Sequence, residues 1–128
     1  MNFSKSYKDL SSACEKRVLI LDGAFGTMVQ RLNLTEEDFR GELFKGHPVE
    51  LKGNNDVLNL TAPEKIKSIH RAYLDVGADL IETNTFSSTK IGQGEYQLQE
   101  KAYDLAKAGA RCAKEAIEEY NQSREAMG

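Results

Sequence analysis

Apolar residues in this chain gather in three short runs, and each run ends in polar side chains. Val18-Leu19-Ile20-Leu21 leads into Asp22-Gly23-Ala24-Phe25-Gly26-Thr27, Val57-Leu58-Asn59-Leu60 leads into Thr61, and the run from Ala78 to Glu82 continues into Thr83-Asn84-Thr85-Phe86. Runs that are apolar on both sides read as buried parallel strands, and polar residues at their carboxyl ends read as the rim of a pocket. Between the runs the period becomes helical. Tyr7, Leu10, Ala13 and Cys14 predict an amphipathic helix over 4–16 that lids the amino-terminal end of the strands, and Gly26-Thr27 opens a helix running to about Leu32. Thr61-Ala62-Pro63-Glu64 reads as a capping box with proline in the first turn. The helix it starts has Ile66, Ile69, Tyr73 and Leu74 on one face and ends at Gly77. Leu98, Ala102, Leu105, Gly109, Cys112, Ala116 and Tyr120 mark a long last helix.

The pattern therefore predicts an N-terminal helix over 1–16, three βα units in series over 17–121, and a frayed tail over 122–128. Short connections between parallel strands require right-handed crossovers. The stretch 35–56 breaks the pattern with Gly41, Gly46, Pro48, Gly53 and Asn54-Asn55. A loop of that length inside a domain is functional or covering.

Composition narrows the class. A chain of 128 residues with 40% hydrophobic and 29% charged side chains suits one globular domain. The net charge of -3 arises from 17 basic and 20 acidic residues spread along the chain, with no basic block to neutralise phosphates, which argues against nucleic acid as a partner. No stretch approaches the roughly 18 apolar residues of a membrane span, and Met1-Asn2-Phe3-Ser4-Lys5 lacks the apolar core of a signal peptide, so a cytoplasmic location without membrane contact is expected. Cys14 and Cys112 lie far apart, each in a helical pattern, and read as two plain reduced thiols.

Four strings carry more information than their spacing. They are Leu-Asp-Gly-Ala-Phe-Gly-Thr-Met-Val-Gln at 21–30, Asp-Phe-Arg-Gly-Glu at 38–42, Leu-Lys-Gly-Asn-Asn-Asp at 51–56 and Glu-Thr-Asn-Thr-Phe at 82–86. In this order, between about Arg17 and Tyr103, they resemble the start of the homocysteine-binding domain of the homocysteine S-methyltransferase family. The second and third strings are similar to its cobalamin-dependent branch, the methionine synthases. The resemblance implies an α/β fold, a (β/α)8 TIM barrel that takes roughly 250 residues, of which this chain would supply the first three parallel βα units as an N-terminal fragment. It also implies methyl transfer from methyl-cobalamin or 5-methyltetrahydrofolate to homocysteine, giving methionine, with cobalamin and folate modules as partners. In the family a zinc ion held by three cysteines on later strands binds the homocysteine sulfur. A thiol of pKa near 8.5 is mostly protonated at neutral pH, and zinc makes it a thiolate.

Neither Cys14 nor Cys112 falls at the carboxyl end of an apolar run, and His47 and His70 read as surface or packing residues. The expectation is that this chain binds no zinc or cobalamin and is inactive in isolation. What it retains is part of a cradle for an amino acid, with Asp22, Gly23, Glu82, Asn84 and Thr85 as substrate-binding candidates. Asp22 would accept from the ammonium group, Gly23 would let backbone approach the ligand, and the helix start beyond would turn N–H groups toward a carboxylate. Equally, Asp22 could simply cap its turn. Side chains alternate along a strand, so Glu82 and Asn84 would share one face and Thr83 and Thr85 the other. Thr61 has a competing task as a helix cap, Phe25 and Phe86 read as pocket wall or core, and the 52–56 loop reads as cover or as a seat for the donor module. A different class of reading is a non-enzymatic assembly module, completed by a complementary chain or by self-association through open sheet edges. A third is a standalone α/β small-molecule binder.

Overall fold

The computed structural model describes residues 4–128, so positions 1–3 of the segment 1–16 lie outside the described residues. Among the described residues seven helices follow one another: α1 (Lys5–Lys16), α2 (Phe25–Arg31), α3 (Glu36–Arg40), α4 (Leu58–Thr61), α5 (Pro63–Asp75), α6 (Lys90–Gly94) and α7 (Ala102–Ala126). Single 3-10 turns precede α4 at Asn55–Val57 and α7 at Gln99–Lys101. Helix α1 begins where the Ser4 hydroxyl accepts the Tyr7 N–H at 3.2 Å, yet it buries none of its residues. Helix α7 stays helical to Ala126, through most of the tail 122–128.

The expected parallel strands and barrel units are not what the chain forms. Among the described residues there is no sheet, and the pairing of extended backbone reduces to one parallel bridge, Leu21 with Leu80. Around it the Asp22 N–H donates to the Leu80 carbonyl at 3.0 Å and the Asp79 N–H to the Ile20 carbonyl at 2.8 Å. The flanking backbone has no further strand to pair with, and Val18, Ile20 and Leu21 are 81%, 56% and 52% exposed. Strength comes instead from side chains. The Arg17 guanidinium grips Asp79 through two bonds of 2.9 and 2.5 Å, and the same carboxylate accepts the Ile20 N–H at 2.9 Å.

The middle run is overturned completely. Residues 57–60 are helical, with the Val57 N–H on the Asn54 carbonyl and the Ala62 N–H on the Leu58 carbonyl. Four apolar residues carry no period of their own, and here Val57 and Leu58 are fully enclosed by neighbours, so local backbone bonds satisfy what a sheet would otherwise supply. The capping box predicted at Thr61 is absent for the same reason. Thr61 ends α4, its hydroxyl donates back to the Val57 carbonyl, and α5 begins at Pro63 without a side-chain cap. A full capping box exists elsewhere, between Thr35 and Asp38 at the start of α3.

The stretch 35–56 is ordered by one ion pair. Glu36 accepts Arg40 Nε at 2.7 Å and also the N–H groups of Leu51 and Lys52, while Arg40 donates to the carbonyls of His47 and Val49. This clamp folds the loop over the core, where Phe39, Phe44 and Leu51 join Val57, Leu58, Ile66, Ile69, Leu105 and Cys112. Helix α5 lies against α7, tied by Lys67 to Glu115 and Glu119, while Glu64 on its own helix also pairs with Lys67. Among the described residues no helix is long and apolar enough to cross a membrane.

Candidate functional site

A cleft of about 750 Å³ opens between three segments: 22–26, the loop residues Gly53, Asn55 and Asp56, and 82–87. The first and third are held together by Asp22. Its N–H reaches the Leu80 carbonyl, and its Oδ1 accepts the Glu82 N–H at 3.0 Å. Its Oδ2 is shielded from solvent and has no hydrogen-bond partner among the described residues. A carboxylate oxygen in that position carries an unmet demand for a donor. Ala24 takes a left-handed conformation, φ 47°, which turns the chain sharply from the extended segment into α2. At Gly23 an added Cβ would meet nothing within 4 Å, so that backbone faces open space.

The second and third segments are joined by buried side chains. Asp56 is 2% exposed, and its Oδ2 accepts the Ser87 N–H at 2.9 Å and the Ser88 hydroxyl at 2.6 Å. Asn54 and Gln93 exchange amide bonds of 2.8 and 3.2 Å, and Gln93 also donates to Ser87. Asn84 spends its amide on the scaffold, donating to the Asn55 carbonyl at 2.8 Å and to Asn59 Oδ1 at 3.0 Å.

All five predicted substrate-binding residues, Asp22, Gly23, Glu82, Asn84 and Thr85, line this one cleft. The alternation expected for 82–85 does not hold. The segment is not a strand, and Glu82, Thr83, Asn84 and Thr85 all border the cavity, with the two threonine hydroxyls 2.7 Å apart. Phe25 borders the cleft and lies 5.1 Å, centroid to centroid, from the ring of His70, while Phe86 stands fully exposed at the mouth. Thr61 is not among the residues that border the cleft.

Sequence reasoning placed the 52–56 loop at the site only as cover or donor seat, without singling out Asp56 as a wall, and it missed Asn59 as a buried strut behind it. The signal available was the run Asn54-Asn55-Asp56 ahead of an apolar run, polar residues placed where the chain is about to be buried.

The charged groups on the cleft are Asp22, Asp56 and Glu82, and no lysine, arginine or histidine borders it. Such a lining favours a ligand that brings its own cation. His70 is fully buried with both ring nitrogens unpaired, and burial pulls its pKa down to about 4, which keeps the ring neutral. His47 Nε2 meets the Tyr96 carbonyl at 2.6 Å, away from the cleft. Cys14 is exposed on α1, and Cys112 is buried on α7, where burial raises its pKa and its Sγ lies 3.9 Å from the Asn59 carbonyl. Among the described residues no three His, Cys, Asp or Glu side chains come together as a metal site.

The sequence model of the homocysteine S-methyltransferase family matches residues 19–128, which takes in every segment of the cleft.

Proposed function

The chain belongs to the homocysteine S-methyltransferase family, and from that premise we propose that the cleft is a homocysteine-binding site. The observation that carries the proposal is Asp22. Asp22 borders the cleft, its Oδ2 is buried and unpartnered, and the ammonium group of an amino acid would supply the donor it lacks. Asp56 and Glu82 add negative charge around that position. The carboxylate of the ligand would then face the backbone from Gly23 to Gly26, and the Thr83 and Thr85 hydroxyls lie across the cavity as further polar contacts. A cavity of this size also leaves room for a second reactant beside so small an amino acid.

The methyl donor would be methyl-cobalamin charged from 5-methyltetrahydrofolate, as in the methionine synthases, delivered by other modules of a larger enzyme. This reading rests on the strings at 38–42 and 51–56. The isolated chain is proposed to bind the acceptor without methylating it, because its own thiols and imidazoles do not assemble a group that could hold the sulfur as thiolate. Calorimetric titration with homocysteine, and with an amino acid lacking the thiol, tests the binding. Heat for neither compound overturns it. Turnover of homocysteine by the isolated chain with stoichiometric zinc would overturn the proposed inactivity.

A second reading, a module completed by another chain, is favoured by the exposed side chains of Val18, Ile20, Leu21 and Leu80 on adjoining extended segments. Sedimentation at rising concentration separates the two, since a clean monomer throughout argues against self-assembly.

A further inference from the structure

Asn59 does not border the cleft, yet it is bonded to Asn84, which does. It is 3% exposed, on the four-residue helix α4. Its Nδ2 donates to the Asn84 carbonyl at 2.7 Å and to the Leu105 carbonyl on α7 at 3.3 Å, while its Oδ1 accepts Asn84 Nδ2 at 3.0 Å. The Asn59 side-chain amide therefore bonds both the main-chain carbonyl and the side-chain NH2 of Asn84, whose other amide hydrogen goes to the Asn55 carbonyl. Both hydrogens of Asn84 are consumed by the scaffold, which leaves its NH2 group nothing to donate to a ligand. Through Asn84 the pair also links the 53–56 wall to the 82–87 wall.

Helix α7 supplies the backing. A Cβ on Gly109 would sit 2.6 Å from Thr85 Cγ2, 2.8 Å from Asn59 Nδ2 and 3.2 Å from the Asn84 carbonyl, so the helix backbone is pressed against this corner with no space to spare. The depth of the cleft at 84–85 is thus set by α4 and α7 through one buried amide.

We propose that Asn59 is a positioning residue of the binding cleft, acting through Asn84 to hold residues 82–85 where a ligand meets them. The proposal rests on the reading of the cleft as the homocysteine site, but its geometric half is testable without any ligand. In the full chain, the Asn84 side-chain NH2 protons should exchange slowly with solvent, because both are bonded in a buried place. Fast exchange in the unmodified protein would overturn the proposal, whether or not any variant folds.

The second arm uses Asn59→Leu, similar in volume and without the amide, beside Ile69→Val, a core truncation at a residue that does not border the cleft. Asn59→Leu should speed backbone exchange across 82–85 and weaken homocysteine binding by about tenfold or more, the scale of one lost polar contact. Ile69→Val should lower the unfolding midpoint while leaving the dissociation constant unchanged. Equal loss of affinity in both variants would reduce Asn59 to general stability and overturn the proposal. If the unmodified chain shows slow Asn84 exchange but binds no homocysteine, the homocysteine reading falls and the positioning of 82–85 stands.

Discussion

Asp22 and Glu82, sixty residues apart, are joined by a single bond in which the Glu82 N–H donates to Asp22 Oδ1 at 3.0 Å. That bond uses one carboxylate oxygen to join two walls of the cleft and leaves the other buried and unpartnered. One side chain thereby has both a structural and a binding assignment, and the two can be separated.

Asp22→Asn keeps an oxygen for the Glu82 N–H and removes the charge. Homocysteine affinity should fall by about 10- to 100-fold, in line with a hydrogen bond to a charged group, while the melting temperature moves little. Parallel calorimetry and thermal denaturation check both halves. A large drop in melting temperature with unchanged affinity would assign Asp22 to the turn alone.

Gly109→Ala distinguishes helix propensity from close packing. In an open helix the change stabilises by about 1 kcal/mol, but overpacking here costs about 1–3 kcal/mol because the new methyl meets Thr85, Asn59 and the Asn84 carbonyl. Net destabilisation is expected in urea unfolding, with altered chemical shifts at 84–85.

Asp79 should make stability depend on acid. The hydrogen bonds from Arg17, then that from the Ile20 N–H, hold its carboxyl at a pKa of about 2, below the usual aspartate value. Its contribution is therefore complete above about pH 4 and is lost as the pH falls toward 2. Denaturant midpoints measured across that window should drop in the unmodified chain and show a shallower slope in Asp79→Asn.

His70 acts over a different window. Burial lowers its pKa to about 4, so the unfolded chain binds the proton first and stability falls as the pH drops from about 6.5 to 4. Both ring nitrogens are buried without partners, so His70→Leu should be neutral or stabilising at pH 7 and should flatten the slope in that range. A marked loss of stability at pH 7 would show that the ring has a bond or a packing role beyond its contact with Phe25.

Several elements were legible in the order of residues. Pro63 and the face made by Ile66, Ile69 and Leu74 announced α5, and Gly77, with φ 99°, ends it as expected. The spacing of Leu105, Cys112 and Ala116 announced α7. The run 57–60 was misread because enclosure on every side makes a short helix and a buried strand look alike in sequence. Arg40 gave no hint that it would bind the carbonyls of His47 and Val49, and nothing local in Asn59 pointed to Asn84.

Four strings in order were enough to place the chain in its family, and the long helices were equally plain, because a helix is written in residues three and four apart. The same strings contain the five predicted substrate-binding residues, and these share one cleft. Folding in three dimensions was needed to show that 18–21 and 78–82 meet at a single bridge instead of building a sheet, that 57–60 is helical, that Asp56 walls the site and that Asn59 stands behind it. Those outcomes turn on which distant carbonyl or amide satisfies each buried polar group, and such partners are chosen by packing across the chain, beyond the reach of any local period.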